Sequence, residues 1–271
     1  MEDLYNLYRT AVLTSDKEKV WALKRQLLPT KLYRYRCFDS HWYSNIVKGK
    51  VYMGSPKHFN DPFDCALPGY GKSLFNSILK IPSQTEIHPS EAEDYVVLNA
   101  KGERKPFSEL LAEHQNSFKD LFRVACFSER LDSLPMWAHY AANHTGYVIE
   151  YDLSKIPTDE ITFLYKVAYL SGAETASLDC STNPPAPFCI LLQKGAEWSY
   201  EEEWRMIKTN DFPEFVDLSS CISAVYLGAN FDKKRNQDEI SVIQDHLATN
   251  GAELREMYIA NFGCAMMYRP L

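Results

Sequence analysis

The chain has 271 residues, of which 45% are hydrophobic and 24% are charged. These fractions are typical of globular proteins and exclude a disordered, collagen-like or coiled-coil chain. The 29 lysines and arginines stand against 36 aspartates and glutamates, which gives a net charge of −7. The surface as a whole therefore does not attract nucleic-acid phosphates, although a local basic cleft stays open.

The predicted elements begin with a helix whose start fits a capping box at Ser15 and Glu18 and which ends before Pro29. An alternating strand over residues 32–36 follows, with two tyrosines on one face and two arginines on the other. Further strands are predicted at residues 51–53, 122–127, 146–151, 161–170, 202–208, 222–227, 254–259 and 262–268. Helices are predicted at residues 40–47, 107–121, 133–143 and 188–194, with one more capped by Asp232.

Residues 66–105 are rich in proline and glycine and carry little periodicity, so we predict a lid-like insertion there. The other strands and helices mix without strict alternation, which favours an α+β fold. The predicted organisation is an N-terminal helical segment of residues 1–30 and a single α+β catalytic domain of residues 31–271.

The cysteines are seven in number, widely spread and never in a C-x-x-C pair, so we expect free thiols and no metal site. The longest apolar run, residues 188–192, is too short to span a bilayer. The acidic first residues lack the basic and apolar regions of a secretory signal. We expect a cytoplasmic protein, with secretion by a signal-less route as the open alternative.

The acidic segment of residues 197–205 carries the sequence E-W-S-Y-E-E-E-W-R. On a strand, Glu201, Glu203 and Arg205 share one face. One interpretation is a solvated edge on which Arg205 pairs with one glutamate. The other is a pair of acids beside the aromatic side chains of Trp198 and Tyr200, suited to stabilise a cationic sugar carbon as its leaving group departs.

Two further sets of residues admit chemistry. Arg34 and Arg36 offer planar forks for phosphate oxygens, and the alternative is a solvated strand face. Cys126 with His139 permits a thiol nucleophile, but the apolar neighbours of Cys126 favour a packed side chain.

Over residues 32 to 230 the chain resembles a family of uncharacterised bacterial and fungal proteins, a domain of unknown function. The segments that carry this resemblance are L-Y-R-Y-R at residues 32–36, F-N-D-P-F-D at 59–64, C-F-S-E at 126–129, M-W-A-H-Y at 136–140, H-T-G at 144–146 and E-W…E-W-R at 197–205.

More distantly, the order of arginine, serine and E-x-E is similar to the arginine–serine–glutamate class of ADP-ribosyltransferases. That resemblance implies a split pair of small mixed or antiparallel sheets that hold NAD+ in a cleft. It implies that Arg36, with Arg34 as the competing candidate, binds NAD+. Ser128 would lie behind the nicotinamide ribose, Glu203 would be the catalytic glutamate, and Glu201 would orient the acceptor.

Four more residues are predicted to line the same pocket. Trp137, His139 and Tyr140 follow Ser128 closely in the sequence, and Asn60 lies in a loop after an early strand. No metal is expected.

The function predicted on these grounds is a mono-ADP-ribosyltransferase that moves ADP-ribose from NAD+ to a protein side chain, with arginine as the favoured acceptor. NAD+ hydrolysis in the same pocket and a non-catalytic interaction or sensing module remain the alternatives. The sequence leaves open the acceptor protein, the oligomeric state and a toxin, defence or regulatory role, and it predicts no nucleic-acid or membrane partner.

Overall fold

The helices and strands come from a computed structural model that describes residues 2–61, 64–65, 96–98, 104–171, 187–260 and 265–271. The helices are α1 (Glu2–Leu13), α2 (Lys17–Leu27), α3 (Trp42–Ile46), α4 (Phe107–Lys119), α5 (Leu134–Tyr140), α6 (Thr158–Thr162), α7 (Pro187–Ile190) and α8 (Gln237–Thr249). The strands are β1 (Lys31–Arg36), β2 (Lys50–Tyr52), β3 (Val96–Leu98), β4 (Arg104–Pro106), β5 (Phe122–Ser128), β6 (Tyr147–Asp152), β7 (Leu164–Lys166), β8 (Ala168–Leu170), β9 (Gln193–Gly195), β10 (Glu203–Thr209), β11 (Phe215–Asp217), β12 (Ile222–Leu227), β13 (Glu253–Ile259) and β14 (Met266–Pro270).

The chain divides into two compact units. The first contains Met1–Leu27, Ser55–Arg123 and Ala168–Ala196, and the second contains Leu28–Gly54, Val124–Val167 and Glu197–Leu271. The division into residues 1–30 and one domain of residues 31–271 stays a prediction. Most of the predicted insertion at residues 66–105 lies outside the described residues.

The first compact unit holds α1, α2 and α4 and two small sheets. β3 pairs with β4 in an antiparallel sheet, and β8 pairs with β9 in a parallel sheet. The side chain of Arg9 on α1 donates to the carbonyl oxygen of Tyr169 on β8, with 2.8 Å from Nε to O. This bond fastens the N-terminal helix to a strand that lies 160 residues later in the chain.

The second compact unit is built on an eight-stranded sheet of order β14-β13-β12-β6-β1-β5-β10-β7. The sheet is mixed, because β12 and β13 run parallel while β1 runs antiparallel to both β5 and β6. Helices accompany the sheet, so the predicted α+β class is confirmed. The described residues do not form the predicted split pair of small sheets, because β1 is hydrogen-bonded along both edges and joins the two halves into one large sheet.

The two faces of β1 carry different side chains, as the alternation predicts. Tyr33 lies directly opposite Ser128 of β5 and therefore shares a face with it. We call this face, with Tyr33, Tyr35 and Ser128, the tyrosine face. Arg34 and Arg36 point to the other side, which we call the arginine face.

A buried core covers the tyrosine face where α5 packs on β1. Trp137 of α5 has no solvent exposure, and its ring meets Tyr35 edge-on with 5.3 Å between centroids. Val148, Tyr226 and Met257 complete this part of the core from β6, β12 and β13. An aromatic pair of this geometry adds about 0.5–1.5 kcal/mol beyond its area burial, which fixes α5 over one end of the sheet.

Four predicted elements differ from the structure. Asp232 does not cap α8, which begins at Gln237 with Asn236 at its N-cap position. Residues 161–170 form the end of α6 and the strands β7 and β8, because β7 pairs with β10 in one compact unit and β8 with β9 in the other. Residues 188–194 are helical only through Ile190 and then enter β9. The cap of α2 is Asp16, whose Oδ1 accepts the Lys19 N–H at 3.1 Å, whereas Ser15 has a φ of +56°.

Within the described ranges, no helix is both long and apolar enough to cross a membrane.

Candidate functional site

Backbone hydrogen bonds join the end of β5 to the segment that precedes β10. A 3₁₀ helix spans Ala196–Glu201, and Glu202 then adopts a φ of +43° before β10 begins. Ser128 donates its hydroxyl hydrogen to the Glu201 carbonyl oxygen at 2.5 Å, and the Glu129 N–H donates to the Glu202 carbonyl oxygen at 3.1 Å. A positive φ is uncommon in a residue other than glycine and often marks a functional site. These bonds hold the chain in that conformation.

The carboxylate of Glu201 lies against α5. Its Oε1 accepts the hydroxyl hydrogen of Tyr140 at 2.8 Å, and the residue is only 3% exposed. Burial of a carboxylate is costly without such bonds. Glu201 therefore receives one anchor on its backbone from Ser128 and one on its side chain from Tyr140.

The carboxylate of Glu203 is bound by Arg205 in a two-pronged ion pair. Nε donates to Oε1 at 2.8 Å and Nη2 donates to Oε2 at 2.9 Å. The Arg205 side chain has no solvent exposure and that of Glu203 has 4%. One interpretation of the sequence paired Arg205 with one of the two glutamates, and this pairing is present. The pair is buried, however, and does not form a solvated edge.

Two aromatic residues precede Glu201 on the 3₁₀ helix. Trp198 and Tyr200 are on the same 3₁₀ helix, with 6.1 Å between ring centroids and 39° between ring planes. His139 of α5 is exposed and meets the Trp198 ring with 6.5 Å between centroids. Trp137, in contrast, is buried in the core and donates its indole N–H to the Leu131 carbonyl oxygen at 2.7 Å. Of the predicted pocket residues on α5, His139 contacts Trp198 and Tyr140 binds Glu201, whereas Trp137 is buried in the core.

Charged groups surround the strained Glu202. Arg130 contacts its carboxylate at 3.3 Å and also binds Asp132 at 2.8 Å. The hydrogen bond between Arg130 and Asp132 raises the pKa of the arginine and lowers the pKa of the aspartate. Both partners therefore stay ionised over a wide pH range.

Glu129 is a polar residue of this region that sequence reasoning left without a role. Its Oε1 accepts the indole N–H of Trp204 at 2.7 Å and also binds the ammonium group of Lys166. The C-F-S-E motif contains Glu129, but neither partner is near it in the sequence. Only the pairing of β10 with β7 brings Trp204 and Lys166 together.

The arginine pair lies on the opposite side of the sheet from Ser128. Tyr33 is the register partner of Ser128, so Arg34 and Arg36 project from the other face of β1. The expectation that Arg36 and Ser128 line one pocket is not met, because alternation along β1 separates them. Asn60 is exposed and belongs to the first compact unit, whereas the other predicted site residues belong to the second.

No group of three or more histidine, cysteine, aspartate or glutamate side chains that could hold a metal ion occurs among the described residues.

Comparison with known proteins gives one family match. A family described as a protein of unknown function, DUF2971, matches residues 136–206. The matched stretch contains most of α5, the 3₁₀ helix and the beginning of β10, and thus Tyr140, Glu201, Glu203 and Arg205. The chain is similar to this family over that stretch. No curated protein and no solved structure matches the chain.

Proposed function

We propose that the protein cleaves the bond between nicotinamide and ribose in NAD+ and transfers ADP-ribose to an acceptor. The observation that carries this proposal is the buried Glu201 carboxylate, which is bound by Tyr140 and belongs to the same 3₁₀ helix as Trp198 and Tyr200. A carboxylate that stabilises a cationic sugar carbon and an aromatic surface for a flat cationic ring are the two features that this reaction needs.

The reaction breaks the glycosidic carbon–nitrogen bond, and its electron pair leaves with nicotinamide. The ribose carbon becomes cationic, as in glycoside cleavage. A fixed carboxylate near that carbon stabilises the developing charge and accepts a hydrogen bond from the neighbouring 2′-hydroxyl. The acceptor then attacks the carbon and loses its proton to solvent or to a nearby base.

Glu201, in place of the Glu203 implied by the family resemblance, is our candidate for this carboxylate. Both oxygens of Glu203 are occupied by the guanidinium group of Arg205, which neutralises their charge. In Glu201, Oε1 accepts the hydroxyl hydrogen of Tyr140, which orients the carboxylate. Glu203 and Arg205 would then be positioning residues that hold the start of β10.

The aromatic residues fit the leaving group. Nicotinamide in NAD+ is a flat cation, and such rings stack on tryptophan and tyrosine with about 0.5–2 kcal/mol of attraction. Trp198 and Tyr200 are partly exposed and His139 is exposed.

Water in place of a protein acceptor would make the same site an NAD+ hydrolase. The two activities share the first step and differ only in the group that attacks the ribose carbon. We favour transfer, with an arginine side chain as the acceptor, on the resemblance to arginine–serine–glutamate transferases.

Incubation with NAD+ labelled in its adenosine part, with and without a cell lysate, separates these outcomes. Transfer predicts label on protein, and hydrolysis predicts free labelled ADP-ribose alone. The wild type would be compared with Glu201→Gln and with Glu197→Gln, a matched control because Glu197 is exposed on the same 3₁₀ helix. Absence of calorimetric NAD+ binding to the folded wild type would reject the enzyme and favour a non-catalytic interaction module.

A further inference from the structure

Two arginines lie together on the arginine face with unused hydrogen-bond donors. Arg34 Nη2 donates to the Tyr52 carbonyl oxygen at 2.8 Å, and its guanidinium carbon is 5.7 Å from the centre of the Phe127 ring. Arg34 Nη1 and Arg36 Nε are buried atoms that have no hydrogen-bond partner among the described residues. Arg36 forms no ion pair with any described carboxylate.

The neighbours of this pair are hydrogen-bond donors as well. Tyr147 lies directly opposite Arg36 on β6, and its hydroxyl oxygen accepts from Asn45 at 2.8 Å. Its own hydroxyl hydrogen is donated to no described residue. Tyr151 is on the same face, and burial raises its pKa to about 12 although the charges of Arg34 and Arg36 oppose the rise. The protonated hydroxyl groups therefore add donors to those of the two guanidinium groups.

The charge of Arg36 acts on the carboxylate of Asp39, but the oxygens of that carboxylate have other hydrogen-bond partners. Oδ1 accepts the His41 N–H at 2.8 Å, and Oδ2 accepts the Cys37 thiol at 3.1 Å. Burial alone would raise the pKa of Asp39, but the hydrogen bonds from Cys37 and His41 and, to a smaller extent, the charge of Arg36 lower it; Asp39 and Arg36 form no ion pair. Asp39 therefore accepts no hydrogen bond from Arg34 or Arg36.

Both arginines are partly exposed, and the donors that lack an acceptor among the described residues are the buried atoms Arg34 Nη1 and Arg36 Nε. Removal of a charged group from water costs several kcal/mol unless a counter-charge or hydrogen bonds replace the water. Burial lowers the pKa of Arg34, and the like charge of Arg36 lowers it further. Two donors that repel each other and face no acceptor form a site for a negatively charged group.

We propose that Arg34 and Arg36 bind a phosphate-bearing anion at a site on the arginine face, separate from Glu201. Guanidinium groups bind phosphate oxygens through two parallel hydrogen bonds. The double negative charge of a phosphate monoester or diphosphate matches two guanidinium groups, whereas a single carboxylate leaves one positive charge unpaired. The site therefore favours a phosphate ester or diphosphate over a carboxylic acid.

Calorimetric titration with pyrophosphate, inorganic phosphate, ADP and acetate at constant ionic strength tests the proposal. The wild type is expected to bind pyrophosphate saturably, and ADP binding as well would identify a nucleotide as the ligand. Arg36→Gln is expected to weaken pyrophosphate binding at least tenfold. Arg235→Gln, at an exposed arginine of the same compact unit, is expected to have no effect. Glu201→Gln is also expected to leave pyrophosphate binding unchanged, which separates this site from NAD+ chemistry.

Thermal unfolding of Arg36→Met provides a second readout. Loss of one of two repelling charges is expected to raise the Tm of the phosphate-free protein and to abolish the rise in Tm that pyrophosphate causes in the wild type. A lower Tm of Arg36→Met in phosphate-free buffer would overturn the proposal. Equal pyrophosphate affinity in Arg36→Gln and the wild type, or acetate binding as tight as pyrophosphate binding, would also overturn it.

Discussion

Tyr140 donates its hydroxyl hydrogen to Oε1 of Glu201 across 2.8 Å, from the last residue of α5 to the last residue of the 3₁₀ helix. The two residues are 61 positions apart in the chain. Both helix ends are fixed by other contacts: α5 by the packing of Trp137 on Tyr35, and the 3₁₀ helix by Ser128. The carboxylate that we assign to NAD+ chemistry therefore has a defined orientation before any ligand binds.

Replacement of Tyr140 by phenylalanine tests that orientation. A hydrogen bond to a charged group contributes about 1.5–3 kcal/mol, so we expect Tyr140→Phe to lower kcat for nicotinamide release at least tenfold. The ring and its packing are preserved, so the variant should stay folded, with a free energy of unfolding lowered by no more than this one bond, about 1.5–3 kcal/mol. Tyr43→Phe, at an exposed tyrosine of α3, provides the control and should keep the wild-type kcat. A Tyr140→Phe enzyme with the wild-type kcat would remove Tyr140 from the site.

Glu203→Gln is expected to act on stability. Loss of one partner of a buried ion pair costs about 3–5 kcal/mol, because the other charge stays buried. We expect Glu203→Gln to lower the free energy of unfolding by this order, and Glu203→Gln with Arg205→Met to recover part of the loss. Glu202→Gln breaks the exposed contact with Arg130 and should cost less than about 1 kcal/mol. Equal unfolding midpoints for Glu203→Gln and Glu202→Gln would contradict a structural role for the buried pair.

Lys24 on α2 is expected to make stability depend on pH. Lys24 is 1% exposed, and burial, with the nearby charge of Arg25, lowers its pKa from 10.5 to about 7. Between these two values the unfolded chain holds a proton that the folded chain does not, so stability rises as the pH increases from 7 towards 10.

The variant Lys24→Met has no titrating group at this position, so the stability of the variant should depend less on pH than that of the wild type. We expect the free energy of unfolding of the wild type to gain about 2 kcal/mol more between pH 7 and pH 9 than that of Lys24→Met. Urea unfolding at both pH values measures the difference. Lys19→Met, at an exposed lysine of the same helix, should behave like the wild type. A parallel pH dependence in Lys24→Met and the wild type would show that Lys24 titrates normally.

Gly146 is required by a close approach of two backbone segments. A Cβ atom at this position would lie 2.2 Å from the carbonyl oxygen of Arg36, a distance at which β1 must move. Gly146→Ala is therefore expected to lower Tm by more than 10 °C or to prevent folding. At Gly251, where φ is +67° and a Cβ atom meets nothing within 4 Å, alanine should cost only about 1–2 kcal/mol. Comparable Tm values for the two variants would contradict the close approach.

Local pattern was enough to predict much of the fold. The alternation in L-Y-R-Y-R predicts β1 and its two faces, and strands at residues 122–127, 222–227 and 254–259 are confirmed within one or two residues. The apolar spacing of Ile240, Ile243 and Leu247 predicts α8, and all three side chains are buried. The order of strands in the eight-stranded sheet could not be predicted, because β1 pairs with segments about 95 and 115 residues away in the chain, and the local sequence pattern does not identify these partners.

The site shows the same limit. The E-x-E segment was identified, but alternation alone cannot distinguish a carboxylate paired with Arg205 from one bound by Tyr140. Both glutamates are equally buried, and our proposal of Glu201 in place of Glu203 follows from the hydrogen bonds of their side chains. The position of Arg36 relative to Ser128 depends on the register between β1 and β5, which follows from long-range pairing and not from either segment by itself.

Single-turnover release of nicotinamide from bound NAD+ tests the central claim most directly. The comparison is between the wild type, Glu201→Gln and Glu197→Gln, each first shown by calorimetry to bind NAD+. We predict that Glu197→Gln keeps the wild-type rate and that Glu201→Gln loses at least 100-fold, about 2.7 kcal/mol of transition-state stabilisation. Release of nicotinamide by Glu201→Gln at the wild-type rate would contradict the assignment of Glu201 as the carboxylate that cleaves NAD+.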